Sequence, residues 1–70
     1  MDITKQNEVR KRLKRLIADF PVKISGISRE IGLNDKQARY VLQGFIKHSD
    51  NFLYPNTLDA LDQYLISKGY

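Results

Sequence analysis

Apolar residues recur at helical spacing in four stretches of the chain, and prolines and glycines mark where those stretches stop. Val9, Leu13, Leu16, Ile17 and Phe20 repeat at intervals of three and four, the spacing that lines one face of an α-helix. Pro21 has no amide hydrogen and biases Phe20 toward extended backbone, so the pattern predicts a first helix from about Thr4 or Asn7 to Asp19. Val22 to Ser25 reads as a short connection, with β-branched Val22 and Ile24 packing down over the core. Ile27 and Ile31 then share a face, and Gly32 supplies a left-handed corner without a Cβ penalty. Leu33 plugs that corner. Asn34 offers an N-cap oxygen to a further helix starting at about Asp35, where an acid suits the positive end of the dipole. The apolar stripe of this helix is Ala38, Val41 and Leu42.

Beyond Gly44 the run from Phe45 to Tyr54 has no clean period and predicts one helical turn followed by a loop. Asn56 or Thr57 is expected to cap a last helix, with Asp59 completing the arrangement. Leu58, Leu61, Leu65 and Tyr64 face inward, and the helix frays at Gly69. The fold class is all-α, a compact domain of four to five helices in a single 70-residue unit, near the size at which a core is only marginally stable.

What the stripes leave outside carries the chemistry. The short helix, glycine turn and second helix spanning Ile27 to Gly44 have the layout of a helix-turn-helix that reads DNA. The second helix leaves Asp35, Lys36, Gln37, Arg39, Tyr40 and Gln43 outward, a face of long hydrogen-bonding side chains suited to base edges and phosphates. Lys23, Arg29 and Asn34, near helix starts, are candidate phosphate contacts. The first helix shows Arg10, Lys11, Lys14 and Arg15 on its outer face with Arg12 at the flank, and Arg10, Lys14 or Lys5 are further phosphate candidates. Its like-charged i, i+4 pairs would be relieved by a partner anion. The formal charge of +4 is uneven: residues 1–40 hold ten Lys or Arg against five Asp or Glu, while residues 41–70 hold two against three. One strongly basic part is the electrostatic footprint of a protein that meets an anionic polymer.

The stretch resembles the phage repressor and Cro-type (XRE) family of DNA-binding domains. The resemblance is carried by Ser28-Arg29-Glu30-Ile31-Gly32-Leu33, by the spacing from Gly32 to Gly44, and by Pro55-Asn56-Thr57-Leu58, which looks like the family's closing helix. It covers about Ile24 to Leu65. Val41-Leu42-Gln43-Gly44 and the run from Leu58-Asp59-Ala60-Leu61 to Gly69-Tyr70 are also similar to the lactose-repressor headpiece. Ser28 stands where both families usually carry alanine, and its hydroxyl can bond back to a carbonyl of the preceding turn. The connection from Gly44 to Pro55 is longer than in either family. The resemblance implies a lambda-repressor-like fold in which the first two turns of the second helix, from Asp35 to Tyr40, read sequence.

The expectation is a sequence-specific binder of double-stranded DNA acting as a small transcriptional repressor by operator occupancy. Two reading helices one duplex turn apart, ~34 Å, would require a homodimer on a pseudo-palindromic operator, in solution or only on the DNA. Phe45, Ile46, Phe52, Leu53 and Tyr54 either close the core or, with Tyr64, Ile66 or Tyr70, form that dimer surface. Rival readings are a helical protein-interaction module, such as an antitoxin or phage regulatory adaptor, and an architectural, excisionase-like DNA binder. An enzyme is disfavoured: there is no cysteine, the single histidine, His48, lies in a polar loop, and the acids are scattered. No cofactor, metal site or small-molecule ligand is expected. No apolar run has the length of a membrane span or secretion signal, and the chain reads as cytoplasmic.

Overall fold

In a computed structural model the chain is all-helical, with α1 at Ile3–Asp19, α2 at Ile24–Glu30, α3 at Asp35–Lys47 and α4 at Pro55–Ser67 among the described residues. The structure describes residues 2–20, 23–33 and 35–70, with residues 35–39 described by their backbone only. The expected roles of Pro21, Val22 and Asn34, and the side chains of Asp35, Lys36, Gln37, Ala38 and Arg39, lie outside the described residues.

Each helix boundary has a local cause. α1 starts earlier than its apolar stripe because the Asp2 carboxylate accepts from the Lys5 amide at 3.1 Å, satisfying an orphan donor of the first turn. It stops where expected, with Phe20 extended at φ −129°, ψ 140°. α2 ends in a turn through Gly32 at φ +83°, and Leu33 behind it donates its amide to the Ser28 carbonyl at 2.9 Å. The Ser28 hydroxyl bonds back to the Ile24 carbonyl at 2.8 Å. α4 begins at Pro55 rather than at a cap on Asn56 or Thr57. Proline at the first helical position needs no hydrogen-bond partner and presets φ, so the helix forms with Tyr54 as its cap residue and no side-chain cap bond. Asp59, expected to assist that cap, reaches Lys5 of α1 instead.

α3 departs furthest from expectation. It runs through Gly44 and takes in Phe45, Ile46 and Lys47. A glycine inside a helix costs about 1 kcal/mol, and here the burial of Phe45 outweighs it, since removing such a ring from water is worth about 1.5–3 kcal/mol. The inward stripe is correspondingly rotated: Leu42 and Phe45 are buried, whereas Val41, expected to be in the core, is 40% exposed.

One core gathers Val9, Leu13 and Leu16 of α1, Ile27 of α2, Leu42 and Phe45 of α3, Leu53 of the connection, and Leu58, Leu61 and Leu65 of α4. Of the residues left open between core and dimer surface, Phe45 and Leu53 are thus internal, Ile46 and Tyr64 pack partly against the core, and Phe52, Tyr54 and Ile66 are exposed. α2 packs chiefly on α3, and α1 on α4 and α3. Lys5 meets Asp59, Arg12 meets Asp62 and Asp19 meets Tyr70, an ascending order that makes α1 and α4 parallel. The end of α4 does more than fray: Gly69 at φ +84° turns the chain so that the Tyr70 ring packs edge-on against Phe20 with centroids 6.1 Å apart.

Candidate nucleic-acid interface

The face singled out from sequence is the outer side of α3. Leu42 and Phe45 turn inward, and Tyr40, two residues before Leu42, is 77% exposed. Lys36 and Gln37 precede Tyr40 by four and three residues, and Gln43 and Gly44 follow it by the same intervals. The register of α3 therefore sets all five positions on one side of the helix. Gln43 is half-buried and Lys47, one turn further on, is exposed. The helix starts at Asp35, as expected, directly after the turn at Gly32.

Of the phosphate candidates, Lys23 and Arg29 belong to α2 and its cap, and Asn34 lies outside the described residues. Lys23 is the cap residue of α2, with its side chain exposed and its carbonyl accepting from the amides of Gly26 and Ile27. Arg29 is exposed in the last turn of α2.

The basic face of α1 is smaller than the sequence suggested. Arg10, expected on the outer face, is buried at 5% exposure. Its Nε donates to the Phe45 carbonyl at 2.6 Å, its Nη1 to Asn7 Oδ1 at 2.6 Å, and its Nη2 to the Asn51 carbonyl. A helix leaves its last carbonyls unpaired, and Phe45 lies in the last turn of α3, so a long cation one turn from Gln6 and three residues from Leu13 is drawn inward to supply a donor. Burial holds the Arg10 guanidinium below its ordinary value, against a smaller upward pull from Asp50. Lys5 is also committed, its Nζ 2.5 Å from Asp59, and that hydrogen bond holds the Lys5 ammonium above its usual value. Arg12 is paired with Asp62 and donates to the Tyr70 carbonyl at 2.7 Å. Lys11, Lys14 and Arg15 stay on the surface of α1.

A side chain that the periodicity did not single out enters the α3 face from the connection to α4. A Cβ added to Gly44 would lie 2.8 Å from Asn51 Nδ2, so the carboxamide of Asn51 rests over the bare backbone of α3 one turn beyond Tyr40. The only hint in the sequence is Gly44 itself, a glycine in a helix interior, which often marks a close approach.

Among the described residues no three His, Cys, Asp or Glu gather as metal ligands, and no helix is long and apolar enough to cross a membrane. A shallow groove of about 310 Å³ between the C-terminal ends of α1 and α4 is lined by Leu16, Phe20, Tyr64 and Lys68, which include no carboxylate or imidazole for acid–base work. Comparison of the chain with protein-family models, with curated proteins and with solved structures gives no match.

Proposed function

We propose that α2, the turn at Gly32 and α3 are a helix-turn-helix of the phage repressor and Cro type, and that the protein is a sequence-specific binder of double-stranded DNA that represses transcription by occupying an operator. The observation that carries this reading is the division of α3: Leu42 and Phe45 are consumed by the core, while Tyr40 stands 77% exposed on the row that holds Lys36, Gln37 and Gln43. A helix carrying residue types of this kind along one row suits the major groove.

In this reading Lys36 and Arg39 donate to guanine or phosphate, Gln37 pairs with adenine, and Tyr40 packs on a thymine methyl or bonds a phosphate. Asp35 steadies the start of the helix, Gln43 extends the row, and Lys23, Arg29 and Asn34 grip the backbone. The protein works as a homodimer on a pseudo-palindromic site, because one reading helix covers too few base pairs to be selective. It is a binding protein without catalytic function, and it acts in the cytoplasm.

The test is selection of bound duplexes from a random pool at about 150 mM salt, which suppresses much nonspecific phosphate binding, with the stoichiometry of the winning complex measured alongside. Enrichment of an inverted repeat bound two-to-one supports the proposal. Binding to every duplex alike, or to none, overturns it in favour of an architectural or protein-binding role.

A further inference from the structure

We infer that Asn51, outside α3, is a specificity-determining residue that reads an adenine beside the row of Tyr40; the inference rests on the proposal that α3 enters the major groove. Three observations converge on it. The carboxamide lies over Gly44, where a Cβ would be 2.8 Å from Nδ2, and Gly44 follows Tyr40 by one turn on the same row. The backbone beneath it is held on both sides, since the Asn51 amide donates to the His48 carbonyl at 3.2 Å and the Asn51 carbonyl accepts from the buried Arg10 guanidinium. The residue is exposed, and its side chain makes no hydrogen bond among the described residues.

A carboxamide presents a donor and an acceptor side by side, and adenine presents the complementary N6 amino group and N7 in the major groove. A phosphate would use only the donor. Holding the backbone in place before binding lowers the ordering cost of the contact. Arg10 acts here as a positioning residue, linking the core of the protein to the carboxamide without touching DNA.

The experiment compares duplex selection by the wild-type protein, Asn51→Ala and Asn51→Asp at about 150 mM salt. The winning wild-type site is then remade with 7-deazaadenine, which lacks only the N7 acceptor, at the single adenine whose requirement Asn51→Ala loses. The wild-type protein should require adenine at one position, and Asn51→Ala should lose that requirement alone, binding the winning site about 5- to 150-fold more weakly. The 7-deazaadenine duplex should weaken wild-type binding comparably and leave Asn51→Ala unaffected. Asn51→Asp, which only accepts, should shift the preference toward cytosine. Both variants keep the backbone carbonyl that Arg10 holds, and equal thermal melting of the three proteins accompanies the comparison.

An unchanged motif in Asn51→Ala removes the residue from the interface. Equal weakening on every duplex makes it a backbone contact, and tighter binding makes it an obstruction. Each of these overturns the inference while leaving the DNA-reading proposal intact. A wild-type protein that enriches no motif overturns the proposal itself, and the inference with it.

Discussion

The guanidinium of Arg10 lies 4.4 Å above the ring of Phe45 and donates at 2.6 Å to the backbone carbonyl of that same residue. One buried cation thus packs on the side chain and satisfies the main chain of the last turn of α3, where the dipole favours positive charge. Its remaining donors reach Asn7 and the Asn51 carbonyl, so Arg10 ties α1 to α3 and to the connection that follows.

Replacing Arg10 by methionine keeps much of the volume but leaves two carbonyls without their donor. A buried carbonyl left without its donor costs about 1–3 kcal/mol, a large part of the stability of a domain this small. Urea melts should show a fall of that size, and Arg10→Lys should recover only part of it because an ammonium cannot reproduce the fork. A loss below about 1 kcal/mol would mean that water replaces the guanidinium.

Gln6 fixes the same connection further along. Its Nε2 donates to the Leu53 carbonyl at 2.7 Å and its Oε1 accepts from the Leu53 amide at 3.0 Å, both in the interior. Gln6→Met should cost about 1–3 kcal/mol through the groups left unpaired. Hydrogen exchange locates the effect: the Leu53 amide should lose protection beyond the global fall in stability. Protection that falls only in proportion to global stability would take Gln6 out of this role.

The helices of this protein were largely legible in its apolar spacing, and what escaped was polar or overridden by packing. Ile27, Leu42, Leu58, Leu61 and Leu65 sit inside as their intervals require, and Gly32 has the positive φ its place after α2 suggests. Arg10 and Gln6 were hidden because a periodicity argument sends long polar side chains outward, and only the carbonyls they serve, more than thirty residues away in sequence, draw them in. α3 runs longer than its periodicity predicts because Gly44, which has the look of an end, is followed by Phe45, whose burial carries the helix on. On the candidate site, the exposure of Tyr40 follows the expectation, whereas Arg10 is buried and Lys5 and Arg12 are paired with Asp59 and Asp62 of α4. That distinction depends on partners that no local pattern names.

It also sorts the cations by the effect each should have on the proposed DNA binding. Lys23 is exposed at the start of α2, so Lys23→Gln should weaken binding to every duplex and reduce the slope of log affinity against log salt by about 0.9. Lys5→Gln should leave that slope unchanged, because Lys5 is already paired with Asp59. Titrating affinity against salt for the two variants separates the cases, and equal slopes for both would remove Lys23 from the interface.

Alkaline pH acts at the parallel contact of α1 and α4. Tyr70 donates its hydroxyl to Asp19, and that bond, followed by burial and the Asp19 charge, holds the phenol above its ordinary value. A raised folded-state value means that the contribution is complete below the unfolded value of about 10 and is lost as pH rises through the folded one. Stability should therefore decline above about pH 10. Tyr70→Phe should be less stable than wild type at neutral pH and decline less steeply, because it has no proton to lose. Lys5, raised by its bond to Asp59, titrates in the same direction, so the double variant Tyr70→Phe, Lys5→Met should be flatter still. Parallel declines in thermal melts from pH 8 to 11 would show that neither contact is linked to folding.

Gly44→Ala separates stability from recognition. Alanine is about 1 kcal/mol better than glycine in a helix interior, and outside the helix's own backbone the only atom of the described residues within 3 Å of the new methyl is Nδ2, at the end of the Asn51 side chain. That end can swing away while Arg10 keeps the Asn51 backbone in place, so the melting temperature should rise by about 4–8 °C. The carboxamide, however, no longer fits over α3. The variant should therefore lose the same single base preference as Asn51→Ala while becoming more stable, an outcome that global loosening of the fold cannot produce. A fall in melting temperature would mean that the Asn51 side chain is held as firmly as its backbone and that Gly44 is required for folding.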